Sequence, residues 1–357
     1  MAHQWRGVIT EYFDRLDVDA STPIITLGEG GTPLIETPAV AKLVGADQVY
    51  LKFEGMNPTG SFKDRGMTVA VSKAVGHGAK AVICASTGNT SASAAAYAAA
   101  AGIKSVVLVP QGKIALGKLS QAVAHKAQIL QVQGNFDDCL TLARDLSENY
   151  PVHLVNSVNP DRIEGQKTGA FEVFDFLGRA PDYHVLPVGN AGNYSAYFKG
   201  YLEDFNEGRI TKVPKMYGYQ AEGAAPFVSG APVKNPETIA TAIRIGNPAS
   251  WDLAQSAMEC SVGKFAAVSD TEILWMHRFL SQEAGVFVEP SSATGAAGIY
   301  KSSQQGESFA GALIVVTVTG HGLKDPAWAL KDEAGNEITP EAVSTNAAEV
   351  AERLGLA

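Results

Sequence analysis

Hydrophobic and polar positions follow two periods along this chain. Short runs that are apolar throughout, such as Ala312-Leu-Ile-Val-Val-Thr-Val318, alternate with longer segments whose apolar residues recur three and four apart. The runs predict strands at 49–53, 80–85, 105–109, 129–133, 152–156, 183–188, 215–220, 264–268 and 312–318. The longer segments predict helices at 61–76, 90–101, 116–127, 137–149, 164–177, 193–206, 270–284, 291–304 and 345–354. Strands apolar on both faces suit a sheet covered on both sides, and strand–helix alternation implies parallel pairing. The expected class is therefore α/β, with mostly parallel open twisted sheets flanked by helices. Three stretches stand outside the alternation. A helix is expected from Val8 to Leu16, and Leu27-Gly-Glu-Gly-Gly-Thr-Pro-Leu34 is too rich in glycine to form an element. Residues 221–250 are the least regular, and Lys234-Asn-Pro236 breaks any helix there. The tail beyond Lys324 is expected to be a peripheral helix and its connection.

With 357 residues the chain is long enough for two domains. A hydrophobic content of 46% with 18% charged residues is that of a compact soluble protein. The net charge of −9 argues against nucleic acid or an anionic membrane as the main partner. An anionic ligand must then be held by a local site. Cys84, Cys139 and Cys260 are odd in number and lack metal-ligand spacing, which suits buried reduced thiols in the cytoplasm. The amino terminus lacks the apolar core of a signal peptide, and the run Ala94–Ala101 is too short to span a bilayer.

Candidate chemistry begins with Gly55-Met-Asn-Pro-Thr-Gly-Ser-Phe-Lys-Asp-Arg-Gly66, between a strand and a helix. Ser61 followed three residues on by Asp64 reads as a capping box. That places Lys63 in the first turn, where the helix dipole disfavours a cation and eases loss of its proton. A lysine kept for solubility gains nothing there; an amine that must attack an aldehyde does, because only its neutral form is nucleophilic.

Functional loops in such folds gather at the carboxyl ends of the strands. After the strand ending at Ala85 comes Ser86-Thr-Gly-Asn-Thr-Ser91, a helix start with hydroxyls and an amide suited to a carboxylate, and equally a plain turn and cap. After Val188 comes Gly189-Asn-Ala-Gly-Asn193, whose small residues let backbone amides approach a phosphate, or serve only the turn. Thr317 and Thr319 end a third strand, before Gly320-His-Gly-Leu-Lys-Asp325, and read either as ligand hydroxyls or as β-branched strand residues. His321 fits a turn. Asn156, Ser157 and Arg162 lie in a loop before a helix and suit a second phosphate, with Lys113 and Lys118 as further positive charge. No His-Glu-x-x-His, paired-cysteine or nucleophile-elbow motif occurs, so metal hydrolysis and serine-type acyl transfer have no support.

Asn57-Pro-Thr-Gly-Ser-Phe-Lys-Asp-Arg65, Ser86-Thr-Gly-Asn-Thr90, the 189–193 loop and Thr317-Val-Thr-Gly-His-Gly-Leu-Lys324, in that order, resemble the pyridoxal-phosphate enzymes of the tryptophan synthase β family. The likeness extends over essentially the whole chain, and within the family it is closest to the branch that makes threonine. The resemblance implies fold type II, with 1–57 and 158–357 as the larger, cofactor-binding domain and 58–157 as a smaller mobile α/β domain. It implies pyridoxal 5′-phosphate as cofactor, in Schiff-base linkage to Lys63. Asn89 would then bond the cofactor's 3′ oxygen; Gly189, Asn190, Ala191, Gly192 and Asn193 would hold its phosphate; Thr319 would face the pyridine nitrogen. Ser86, Thr87 and Thr90 would take the substrate carboxylate, and Asn156, Ser157 and Arg162 the substrate phosphate. The implied reaction turns O-phospho-L-homoserine and water into L-threonine and phosphate, in a cytoplasmic homodimer. A threonine or serine dehydratase is the nearest rival, and a non-catalytic binding protein on the same scaffold is a second. The dehydratase does not need the second phosphate loop, and the binding protein would form no imine.

Overall fold

The computed structural model describes residues 3–112, 116–332 and 335–356, and leaves the side chains of 116–118 undescribed. Lys113 and the side chain of Lys118 thus lie outside the described residues. Met1–Asp325 form one compact unit and Pro326–Ala357 another. Among the described residues of the first, ten strands divide between two sheets: β1 (Leu34–Glu36), β2 (Gln48–Phe53), β3 (Ala81–Ala85), β4 (Lys104–Pro110), β5 (Gln128–Val132), β6 (Val152–Leu154), β7 (Tyr183–Pro187), β8 (Lys215–Ala221), β9 (Lys264–Val268) and β10 (Leu313–Val318). One sheet has the order β1-β2-β10-β7-β8-β9, the other β5-β4-β3-β6. All pairs are parallel except β1 with β2.

The burial of the strands follows their sequence. β3 and β10, apolar throughout, are buried at every position, whereas the edge strand β5, Gln-Ile-Leu-Gln-Val, is not. β10 pairs with β2, residue for residue from Leu313–Gln48 to Val318–Phe53. The carboxyl ends of β2, β10 and β7 therefore lie side by side, although some 260 residues separate the first two in sequence. Their following loops converge by topology, not by proximity along the chain.

Several elements escape the sequence pattern. The glycine-rich stretch ends in the three-residue β1, too short to show a period. Helices Pro38–Val44 and Trp251–Cys260 also form, the first started by its proline and closed by Gly45 at φ 72°. The helix expected over Val8–Leu16 is only Val8–Glu11, followed by a 3-10 turn at Phe13–Arg15. Cys84 and Cys139 are buried as expected, but Cys260, at its helix end, is exposed. The second unit carries helix Ala347–Arg353. No described helix is long and apolar enough to cross a membrane.

Candidate active site

Lys63 is the first residue of helix Lys63–Gly76. The expected Ser61 cap is absent: Phe62 is the N-cap residue, no side chain caps it, and Ser61 Oγ is buried without a hydrogen-bond partner. The backbone here is committed elsewhere. Ser61 bridges Gly320, the Phe62 N–H donates to Thr319 O at 3.0 Å, and the His321 N–H donates to Gly60 O at 2.9 Å. This pins the segment to the end of β10 and turns the Ser61 hydroxyl from the helix start. Asp64 reaches back instead. Its carboxylate accepts from the Thr59 N–H at 2.7 Å, Thr59 Oγ1 at 2.6 Å and Ser93 Oγ at 2.6 Å. Burial lifts its pKa to about 6.

The Lys63 amine stands 3.9 Å from the Phe62 ring centroid, and no acceptor among the described residues bonds it. Burial, with Arg162 adding to it, lowers its pKa to about 7, against an opposing pull from Glu289. About half the amine is then neutral near pH 7, compared with less than about one part in a thousand for an ordinary lysine.

Asn89 opens helix Asn89–Ala100 after β3, and its Nδ2 donates to Glu289 Oε1 at 3.2 Å and Oε2 at 3.3 Å. Glu289, buried at 4% exposure, precedes helix Pro290–Gln304. Ser86, Thr87 and Thr90 are half-buried around the same helix start, with Ser86 Oγ accepting the Gly88 N–H at 3.2 Å. Thr319, beyond β10, shares a hydrogen bond with Ser292 at 2.9 Å. Ser292 Oγ also accepts the Gly320 N–H at 2.8 Å. His321 is engaged locally, its Nδ1 accepting the Leu323 N–H at 3.1 Å and its ring stacking on Phe53.

After β7, Ala191 takes a left-handed conformation, φ 64°, as N-cap residue of helix Gly192–Asn206. Asn190 braces the loop by accepting the Ala249 N–H on its side chain and the Ser250 N–H on its carbonyl. Asn193 is buried, yet neither polar atom of its amide has a partner among the described residues.

Arg162 lies in the first turn of helix Pro160–Leu177, which starts earlier than its apolar pattern because Asn159 caps it and Pro160 initiates it. That helix crosses the Lys63 helix at glycines. A Cβ on Gly165 would fall 1.9 Å from Arg65 O, and one on Gly66 would fall 2.6 Å from Arg162 O. The contact brings the start of one helix against the start of the other. Arg162 is 1% exposed, yet among the described residues its guanidinium makes one bond, from Nη1 to Val155 O at 3.3 Å, and its Nε has no partner. Burial pulls its pKa down to about 10. Asn156 uses its amide otherwise: Oδ1 accepts the Ala85 N–H at 2.9 Å and Nδ2 donates to Ala85 O at 3.0 Å, extending the sheet across the end of β3. Ser157 is half-buried.

The profile of the family described as "Pyridoxal-phosphate dependent enzyme" matches residues 25–320. The threonine synthase of Mycobacterium bovis is 58% identical over 357 residues, spanning 99% of this chain and 98% of its own. That of Methanocaldococcus jannaschii is 49% identical over 332 residues, 90% of this chain and 82% of its own. This chain belongs to the pyridoxal-phosphate-dependent enzymes, among the threonine synthases. Among solved structures, maize serine racemase superposes with a TM-score of 0.69 at 21% identity, covering 82% of this chain and 88% of its own. Threonine deaminase isoform 2 of Solanum lycopersicum gives 0.71 at 19%, over 88% and 89%. The fold is therefore that of type II pyridoxal-phosphate enzymes.

The residues present fit the family's cofactor. An amine of lowered pKa, a helix N-terminus beside the Asn193 amide, and the Thr319 hydroxyl lie at the ends of the adjacent strands β2, β7 and β10. Two parts of this site have no sequence signal. Glu289 reads there as an ordinary residue before a helix-starting proline, and Ser292 as a small helical residue. Only the fold brings them to Asn89 and Thr319.

Proposed function

We propose that this chain converts O-phospho-L-homoserine and water into L-threonine and phosphate. Full-length identity of 58% to a threonine synthase supports the reading. The observation that carries it is Arg162, a buried cation with no carboxylate partner among the described residues, on the helix packed against the Lys63 helix. A desolvated cation left so is costly unless an anion completes it. A second, substrate phosphate is such an anion, and a dehydratase has no need of one.

In this reading Lys63 carries the cofactor, and Gly189, Asn190, Ala191, Gly192 and Asn193 hold its phosphate at a helix N-terminus. Bound there, pyridoxal phosphate supplies the electron sink that makes the substrate's α and β protons removable. Ser86, Thr87 and Thr90 orient the substrate carboxylate at the start of the Asn89 helix. Arg162 and Ser157 draw the γ-phosphate away as it leaves, while Asn156 holds the strand end through Ala85. The Lys63 amine, freed when substrate binds, takes the α proton and later returns it, a role suited to a pKa of about 7. Thr319 presents a hydroxyl to the ring nitrogen, and Ser292 fixes it. Residues 58–157 close over the substrate and exclude water from the reacting carbons. The working form is a cytoplasmic homodimer.

Borohydride treatment of the cofactor-loaded protein tests the cofactor assignment. Reduced cofactor is expected on the peptide containing Lys63, and Lys63→Ala is expected to lose both label and turnover. Label on another lysine overturns the assignment. Superposable empty and substrate-analogue-bound structures would count against closure, and a monomeric mass by light scattering against the dimer.

A further inference from the structure

We propose that Glu289 is a positioning residue for the cofactor: it turns the Asn89 amide so that an N–H faces the 3′ oxygen, and its charge sets the protonation of the nitrogen that Lys63 contributes. The inference rests on the cofactor reading above and extends it to a residue outside the sequence motifs. A carboxylate only accepts hydrogen bonds, so Glu289, with both oxygens near Asn89 Nδ2, fixes which end of that amide faces it. The second N–H of Nδ2 is then left for another acceptor.

The backbone that carries this carboxylate is held firmly. The Glu289 N–H donates to Gly320 O at 3.1 Å, and Glu289 O accepts the Ser292 N–H at 2.9 Å. A Cβ on Gly320 would stand 2.5 Å from Glu289 Oε1, so position 320 admits only glycine without displacing it. Glu289 thus links the Asn89 helix to the turn carrying Thr319.

Several charged groups face this pair. Lys63 comes from the Lys63 helix, and Lys324 and Asp325 from the turn after β10. Arg162 faces Lys63 from helix Pro160–Leu177. Arg162 works against a proton on the Lys63 nitrogen, and Glu289 is the group that favours one. Burial raises the pKa of Glu289, while its hydrogen bonds from Asn89 and Ser291 act the other way.

The test is a pH titration of the cofactor's visible absorption band in the substrate-free holoenzyme, with cofactor affinity measured on the apo-protein. Removing a negative charge disfavours the protonated nitrogen, so in Glu289→Gln the midpoint falls by about one pH unit. Cofactor affinity falls by about tenfold, and adding Asn89→Ala to Glu289→Gln weakens it no further. Glu289→Asp keeps the charge and shortens the reach: it retains the midpoint and loses affinity, and it serves alone if the glutamine variant does not fold. A wild-type midpoint in Glu289→Gln, or additive effects with Asn89→Ala, overturns the proposal. With Glu289→Asp alone, a fallen midpoint or wild-type affinity overturns it. A wild-type protein that develops no band with added cofactor overturns the cofactor reading itself, a separate outcome.

Discussion

Arg65 and Arg162 are both buried guanidiniums on two helices that cross at glycines, and they are opposites in their surroundings. Arg65 donates to Glu54 at 2.7 and 2.8 Å, to Glu172 at 2.5 and 2.7 Å and to Thr32 at 3.0 Å. Lys52 joins it on Glu172 at 2.6 Å. Although burial works against it, Arg65 and Lys52 hold the Glu172 carboxyl at about 2. Arg162 has one carbonyl and no carboxylate among the described residues. The first arginine is completed by the fold and ties β2 and the two helices together. The second is left incomplete by the fold, and its cost is met only when an anion arrives. A buried cation is structural or functional according to what surrounds it, not how deep it lies.

The comparison predicts opposite responses to one substitution. Arg65→Met leaves the buried Glu54 without its cation and Glu172 with Lys52 alone, so stability measured by urea unfolding falls by about 3–5 kcal/mol. Arg162→Met removes an uncompensated charge, so stability without phosphate is unchanged or rises. Its kcat/KM for the phosphorylated substrate drops by about a hundredfold or more. Inorganic phosphate raises the melting temperature of the wild type and not of this variant. Equal destabilisation by both changes would erase the distinction.

Acid sharpens it. The folded pKa of Glu172 lies below its unfolded value, so its contribution is fully present above about pH 4.5 and is lost as pH falls towards 2. The urea midpoint should decline through that window in the wild type and less steeply in Glu172→Gln.

On the cofactor side, the rate of colour formation on apo-protein should rise about tenfold from pH 6 to 8 and then level off, as the neutral fraction of an amine near pKa 7 does. A rise that continues without a plateau to pH 10 would return Lys63 to the ordinary range. Smallest is the effect of Asn193→Ala. Its amide bonds nothing among the described residues, so stability should change by less than about 1 kcal/mol while cofactor affinity falls.

Periodicity gave the strands of both sheets their places because fully apolar runs such as β10 and β3 have no other stable location. It missed β1 and helix Pro38–Val44, too short for a period to show. The loops at strand ends were legible from glycine, hydroxyl and amide content, and family resemblance supplied their proposed roles. Local rules failed where distant partners intervened. Ser61 does not cap its helix because its neighbours Phe62 and Gly60 are bonded to Thr319 and His321, some 260 residues on, and Asn156 spends its amide on Ala85. Nothing local separates Arg65 from Arg162, since Glu172 lies 107 residues from the first.

Release of inorganic phosphate from O-phospho-L-homoserine, followed alongside threonine formation in the wild type and in Arg162→Met, tests the central claim most directly. The account predicts one phosphate per threonine in the wild type and near-complete loss of both in the variant, with folding intact. Deamination of threonine without phosphate release, or an Arg162→Met enzyme that releases phosphate at the wild-type rate, would contradict it.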